Sequence, residues 1–340
     1  MSTSVGRDAL QRMLRAMEGA DRVVLTTHIN ADGDGAGSEA ALAAYLVDRG
    51  TRVHIVNPTP FPEVLRFLVS RLPDDVVLDA GGEAALEVCR QADLAVVLDT
   101  GEIPRIGCVH SLIAGKPIAV IDHHQPGDRA IETVADLRDP SAAATGELVY
   151  ELLETAGKGW PPGAADALFV AILTDTGGFR FSNASPRAFE VAGRLVALGA
   201  RPEKLHSRVF SNFRLRRYQL LEAALATLTV SDDGRVAWMV VPQAMYERLR
   251  AAPDDLEGFV DVPRSLAGVE VALLFRRTSR GQTKISFRST GEADVNVLAG
   301  QFGGGGHTKA AGALVDGELD EVVETVVGAT AALLDAGRPR

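Results

Sequence analysis

Short, almost wholly apolar runs spaced through the first half of the chain limit its fold more than any other feature. They fall at 23–27, 53–56, 94–98 and 118–121. Segments with helical periodicity stand between and after them, at 38–49, 145–155 and 164–173, the first closed by Gly50, a residue suited to helix C-termini. A strand that is apolar all round must be covered on both faces. Strands that alternate with helices pair in parallel. The expected fold class is therefore α/β, with an N-terminal parallel sheet carrying helices on both faces.

The pattern changes at 185. Residues 185–228 are helical in periodicity and rich in Arg, with Leu205, Val209 and Phe213 on one stripe. After the turn Ser231-Asp232-Asp233-Gly234, a second α/β pattern begins, with strands at 238–241, 269–275 and 284–288 and a closing helix at 319–334. A length of 340 residues suits two domains. The expected division is a metal-binding catalytic domain over 1–190, a helical connector over 191–228 and a smaller substrate-binding domain over 229–340.

A net charge of −10 argues against a protein that coats duplex DNA, which is usually basic. It leaves room for a small nucleotide held by a local basic pocket. Cys89 and Cys108 match no paired metal or redox spacing. The N-terminal residues lack the apolar core of a signal peptide, and no apolar run approaches the roughly 18–20 residues of a membrane span. A soluble, cytoplasmic protein is expected.

In an open parallel sheet, ligands sit beyond the carboxyl ends of the strands. After the first strand comes His28-Ile-Asn-Ala-Asp32-Gly-Asp34, after the run at 94–98 comes Asp99, and after 118–121 comes Asp122-His123-His124. The helix at 164–173 is followed by Asp175. One such Asp commonly caps a helix. Four arrivals, two with His, exceed what caps explain. Converging carboxylates raise one another's pKa unless a cation holds them. Mixed carboxylate and imidazole donors without thiolate suit Mn²⁺, with Mg²⁺, Co²⁺ or Zn²⁺ as alternatives. Six or more donors exceed the need of one ion. Two ions ~3.5–4 Å apart serve in-line attack on phosphorus. Gly33, Gly35 and Gly37 are expected to let the loop close around the ions.

His28-x-x-x-Asp32-x-Asp34, Asp99, Asp122-His123-His124 and Asp175 resemble, in order and spacing, the four motifs of the DHH phosphoesterase superfamily. The resemblance implies one metal held by His28, Asp32 and Asp99, and another held by Asp34, Asp99, His123 and Asp175. Asp122 would orient His123, and His124 would face the substrate phosphate. Arg105 would steady the carboxylates or the phosphate, with a surface ion pair as the alternative. His54, His110 and His206 receive no role.

The second half carries Phe302-Gly303-Gly304-Gly305-Gly306-His307. Four consecutive glycines allow backbone N–H groups to approach a phosphate closely. Lys284, Ser286 and Arg288 alternate along a strand and share one face. Residues 262–309 hold seven Lys and Arg (264, 276, 277, 280, 284, 288 and 309) against three acids. This half resembles the DHH-associated C-terminal substrate-binding domain, which implies that Lys284, Ser286, Arg288, Gly304, Gly305, Gly306 and His307 grip the substrate. That domain separates the chain from family-II inorganic pyrophosphatases.

The compact length, with Asp261-Val-Pro-Arg264 and Ser286-Phe-Arg288-Ser289, resembles the nanoRNase A subgroup rather than the larger RecJ exonucleases. The resemblance implies hydrolysis of short oligonucleotides to mononucleotides, of 3′-phosphoadenosine 5′-phosphate (PAP) to AMP and phosphate, or both, with a homodimer as a possible assembly. A cleft between the domains would limit substrate length. The rival readings are a cyclic dinucleotide phosphodiesterase, a pyrophosphate or polyphosphate hydrolase, and a non-catalytic nucleotide-binding protein.

Overall fold

The apolar runs of the first half become neighbouring strands of one parallel sheet. The computed structural model describes residues 6–336, apart from residues 212–213, 257 and 279–280 and the side chains of 253, 254 and 307. Phe213, Arg280 and the side chain of His307, on which three of the expectations rest, lie outside the described residues. The chain divides into two compact units, Met1–Asn212 and Phe213–Arg340.

In the first unit, β1 (Arg22–Thr26), β2 (Arg52–Asn57), β3 (Val77–Asp79), β4 (Leu94–Leu98), β5 (Ile118–Asp122) and β6 (Ala135–Arg138) stand in the order β3-β2-β1-β4-β5-β6. Every pairing is parallel. Alternate residues of β4 and β5 feed two separate cores. Val96, Leu98, Ala119 and Ile121 pack on one side, and Ala95, Val97 and Val120 on the other. Each such fully buried branched side chain contributes on the order of 1.5–3 kcal/mol. The first core takes in α1 (Arg7–Glu18), α2 (Gly33–Val47), α5 (Thr145–Ala156) and α6 (Ala164–Asp175). The second takes in α3 (Glu83–Gln91) and α4 (Val109–Leu112). The stretch 191–228 serves both units. Val191, Leu195, Leu205 and Val209, on α7 (Pro186–Ala197) and α8 (Pro202–Phe210), join the first core. Leu220 and Ala224, on α9 (Leu215–Leu225), join the second unit.

Helix α2 corrects the reading of Gly33, Gly35 and Gly37. These residues belong to the helix, not to a loop around ions, because Asp32 caps it: Oδ1 accepts from the N–H groups of Asp34 at 3.0 Å and Gly35 at 3.2 Å. The glycines admit neighbours. A Cβ on Gly37 would stand 2.5 Å from the Ala167 carbonyl oxygen of α6, and one on Gly33 would stand 2.3 Å from the Thr174 hydroxyl.

The second unit holds a mixed sheet of β7 (Thr229–Val230), β8 (Val236–Val241), β9 (Val271–Arg277), β10 (Thr283–Ser289), β11 (Gly305–His307) and β12 (Ala310–Val315), in the order β11-β12-β10-β9-β8-β7. Only β8 and β9 pair in parallel. Leu273, Phe275, Ile285 and Phe287 face a core closed by α12 (Val295–Gly300) and α13 (Leu319–Ala336). On the other face α9, α10 (Gln243–Leu249) and α11 (Asp261–Arg264) flank β8 and β9, burying Met239, Val241 and Leu274. Beyond that cover, β10 and β12 present Lys284, Ser286, Arg288, Gly312 and Leu314.

Candidate metal centre and phosphate-binding face

Four segments bring their acids and imidazoles to the carboxyl edge of the parallel sheet. His28 follows β1, Asp99 follows β4 with a left-handed φ of +61°, and His123 and His124 follow β5. Asp32 caps α2, Asp34 lies in its first turn, and Asp175 ends α6. Three overlapping donor groups result, His28 with Asp32 and Asp99, Asp99 with His123 and His124, and Asp34 with His123 and Asp175, each with its ligand atoms within 4.8 Å of one another. Asp99 links the first two and His123 the last two. Asp99 Oδ2 lies 3.2 Å from His28 Nε2 and its Oδ1 lies 3.5 Å from His123 Nε2.

The imidazoles are set for ligation by their far nitrogens. His28 Nδ1 lies 3.0 Å from the Ile29 carbonyl oxygen, and His123 Nδ1 lies 3.2 Å from that of Ala142. A carbonyl only accepts, so each Nδ1 carries the hydrogen. Were each ring neutral, as a metal ligand must be, its Nε2 lone pair would face carboxylates. Lone pair against lone pair requires a positive charge between them. With protons alone supplying it, the site is strained. Burial lowers the pKa of His28, but Asp32 and Asp99 override it and carry it to about 10. Burial, then the charges of Asp99, Asp175 and Asp32, drive Asp34 well above the carboxylate range. Burial takes Asp175 up to about 7, although His123 pulls the other way. Burial would raise Asp99 as well, yet the His28 hydrogen bond and the nearby histidines hold it below the usual range. Divalent cations fit this donor set better than protons do.

Several supports carried no mark in the sequence. Asp34 is fully buried and accepts from the N–H of Thr145 at 2.6 Å, the N–H of Gly146 at 2.9 Å and the Ser38 hydroxyl at 3.3 Å. The Thr145 hydroxyl donates to Asp99 at 3.0 Å, and Asn183 donates to the Asp175 carbonyl at 3.1 Å. Arg187 lies 3.1 Å from Asp139, 3.3 Å from Glu147 and 2.7 Å from Glu151, and so fixes the loop that carries the Ala142 carbonyl. Asn57 donates to buried Glu39 at 2.9 Å and accepts from the N–H of Thr27 at 3.0 Å, anchoring the end of β1 just before His28.

Two expectations change. Asp122 is not the partner of His123: its Oδ1 lies 2.8 Å from His124 Nδ1 and also accepts the His124 N–H at 3.0 Å, while a main-chain carbonyl serves His123. A residue two positions on folds back over the carboxylate more easily than the one adjacent. Arg105 forms no ion pair among the described residues; its carbonyl accepts the N–H of Ile29 at 2.7 Å.

On the second unit, Lys284, Ser286 and Arg288 share the uncovered face. Arg288 is half-buried, near the Asp261–Arg264 ion pair of 3.1 Å. The glycine run is less open than expected. The N–H groups of Gly303 and Gly304 donate to the carbonyls of Gly300 and Ala299, and that of Gly306 donates to Asn296 at 2.8 Å. A Cβ on Gly304 would stand 2.1 Å from the Gly312 carbonyl oxygen. Close pairing of β11 with β12 thus accounts for Gly304. Gly305 and the backbone of His307 lie in β11.

Residues 22–172 match the DHH family, N-terminal domain, and residues 239–331 match the DHHA1 domain. The chain is 31% identical over 329 residues to the bifunctional oligoribonuclease and PAP phosphatase NrnA of Thermus thermophilus, covering 93% of this chain and 91% of that protein. It is 30% identical over 264 residues to the cyclic-di-AMP phosphodiesterase GdpP of Geobacillus thermodenitrificans, covering 76% of this chain and 38% of that protein. The crystal structure of an exopolyphosphatase-related protein from Bacteroides fragilis superposes with a TM-score of 0.90 at 25% identity, covering 98% of each chain. Among the described residues, no helix is long and apolar enough to cross a membrane.

Proposed function

The chain belongs to the DHH family and is a hydrolase of phosphoester bonds; from that premise we propose that it cleaves short oligonucleotides to mononucleotides and PAP to AMP and phosphate. The convergence of Asp32, Asp34, Asp99 and Asp175 on two imidazoles whose Nε2 atoms face them carries this reading. His28, Asp32 and Asp99 would hold one divalent ion, and Asp34, Asp99, His123 and Asp175 a second, with Mn²⁺ favoured by a donor set of carboxylate and imidazole. Such ions supply Lewis acidity and a water acidic enough to attack phosphorus at neutral pH.

The remaining work falls to the chain. Asp99 is common to both of these ion sites and sets their spacing. Asp122 fixes the His124 ring, which faces the scissile phosphate and neutralises charge that develops on it. Arg105 assists at the same phosphate. Arg288, Ser286 and Lys284 grip the nucleotide through charge-assisted bonds, beside Gly304, Gly305, Gly306 and His307. Identity to the Thermus oligoribonuclease over most of both chains supports this substrate class.

A second reading, cleavage of cyclic dinucleotides, is favoured by the identity to the Geobacillus phosphodiesterase. One panel decides between them. Purified protein with Mn²⁺ is given a labelled linear dinucleotide, PAP, a cyclic dinucleotide and pyrophosphate, and products are resolved by chromatography. Mononucleotide from the linear dinucleotide and AMP from PAP are expected. Turnover of the cyclic substrate or pyrophosphate alone would overturn the first reading.

A further inference from the structure

Lys284 of β10 and Arg276 of β9 are direct cross-strand partners on the uncovered face of the second sheet. Like charges in that position repel. Neither pairs with an acid among the described residues. Their flanking polar groups are engaged elsewhere: Gln282 donates to Asp316 at 3.0 Å, and Thr278 accepts the N–H of Gln282 at 3.2 Å. Partial burial and then the Arg276 charge push the Lys284 ammonium below its usual pKa. A structure that keeps two unneutralised cations side by side leaves a place for an anion.

The two cations line an open, shallow cavity of about 530 Å³ together with Gly303, Gly304, Gly312 and Leu314. This volume lies within the roughly 300–1,000 Å³ of small-molecule sites. Gly312 and Gly304 present bare backbone, and Leu314 offers an apolar side chain that is 51% exposed. A flat, side-chain-poor floor beside two cations suits a planar base with its phosphate. Arg288 lies four residues along β10, roughly 13 Å away at about 3.3–3.4 Å per residue. That spacing lets one ligand place different phosphates at Arg288 and at this cavity.

We propose that the Arg276–Lys284 cavity is a second nucleotide subsite, which takes a phosphate of the substrate other than the one that Arg288 holds. This rests on the nucleotide reading given above and adds a length preference to it: substrates long enough to reach the cavity gain affinity over a mononucleotide.

The test is equilibrium binding by fluorescence anisotropy, using the full chain with a chelator present so that nothing is turned over. The probes are a labelled mononucleotide and a labelled trinucleotide. The parent protein is expected to favour the trinucleotide by about tenfold. Arg276→Glu should erase that preference. Leu314→Trp, which fills the cavity without changing charge, should reduce it severalfold and guards against a folding artefact. Arg248→Glu, the same charge change at an exposed site on α10, should leave it within twofold. Equal loss in Arg276→Glu and Arg248→Glu would mean a general field and would overturn the subsite, as would a parent protein that shows no preference. A length preference in binding with no hydrolysis of any nucleotide would retain the subsite and defeat the functional reading instead. Hydrolysis without the preference would do the reverse.

Discussion

Asp99 occupies left-handed backbone at φ +61°, a conformation that costs a non-glycine residue on the order of 1–3 kcal/mol and persists where surroundings enforce it. Here the enforcement comes from both sides, since one carboxylate oxygen meets His28 and the other meets His123 and the Thr145 hydroxyl. Asp99→Ala is expected to lower kcat by on the order of 10³ or more, because a lost Lewis-acid contact is worth several kcal/mol. Steady-state kinetics under saturating Mn²⁺ check this, and a fully active variant would contradict the assignment. On the proposed function Asp122 would act through His124, to which it is hydrogen-bonded, so Asp122→Asn should cost less, about 10- to 100-fold. The loss should fall in kcat, with bound metal unchanged by elemental analysis.

Helix α2 sets two physical effects against each other at Gly37. Alanine improves helix propensity by about 1 kcal/mol. Its Cβ would also stand 2.5 Å from the Ala167 carbonyl oxygen and 3.1 Å from the Ala171 Cβ, and overpacking of that kind costs about 1–3 kcal/mol. Backbone cannot step aside cheaply, so Gly37→Ala is expected to lower the midpoint of thermal unfolding by several degrees. Two residues later, burial pushes the Glu39 carboxyl up to about 8, against the Asn57 hydrogen bond that lowers it. The folded chain keeps a proton that the unfolded chain gives up above its ordinary value of 4.5. Stability therefore falls as pH rises from that value to about 8. Glu39→Gln retains an acceptor for Asn57 and has no charge to bury. In metal-free protein it should gain on the parent between pH 5 and 8, by a few kcal/mol at most at about 1.36 kcal/mol per pH unit. Urea titrations giving parallel pH profiles would contradict this. These elements also explain what could be read in advance. Apolar runs such as 94–98 announced the buried strands, and the acids after them announced the site, because burial and convergence are both written in residue type. The start of α2 was hidden because glycine reads as a breaker until packing against α6 is known. Strands β3, β6 and β11 are short edges with little apolar signal. The choice of His124 over His123 by Asp122 follows from the chain folding back at i+2, which the resemblance to the family motif did not convey.

Each unit of the molecule carries its own sheet with a core on either side. The donor groups all lie in the first, and the basic face in the second. A fragment of residues 1–212 is expected to fold alone, as judged by circular dichroism, and to bind Mn²⁺ in a calorimetric titration, while losing measurable nucleotide turnover. An unfolded fragment would contradict the independence of the two cores. The basic face also sits within a chain of net charge −10, so nucleotide binding should weaken with salt. The partners of Asp34 have a wider consequence. They are the amides of Thr145 and Gly146 and the hydroxyl of Ser38, groups that meet only once α2 and α5 have packed. Packing of α2 against α5 thus orients the Asp34 carboxylate through protein groups alone, so a divalent ion would meet a carboxylate already aimed, and Asp34 should keep its place in metal-free protein.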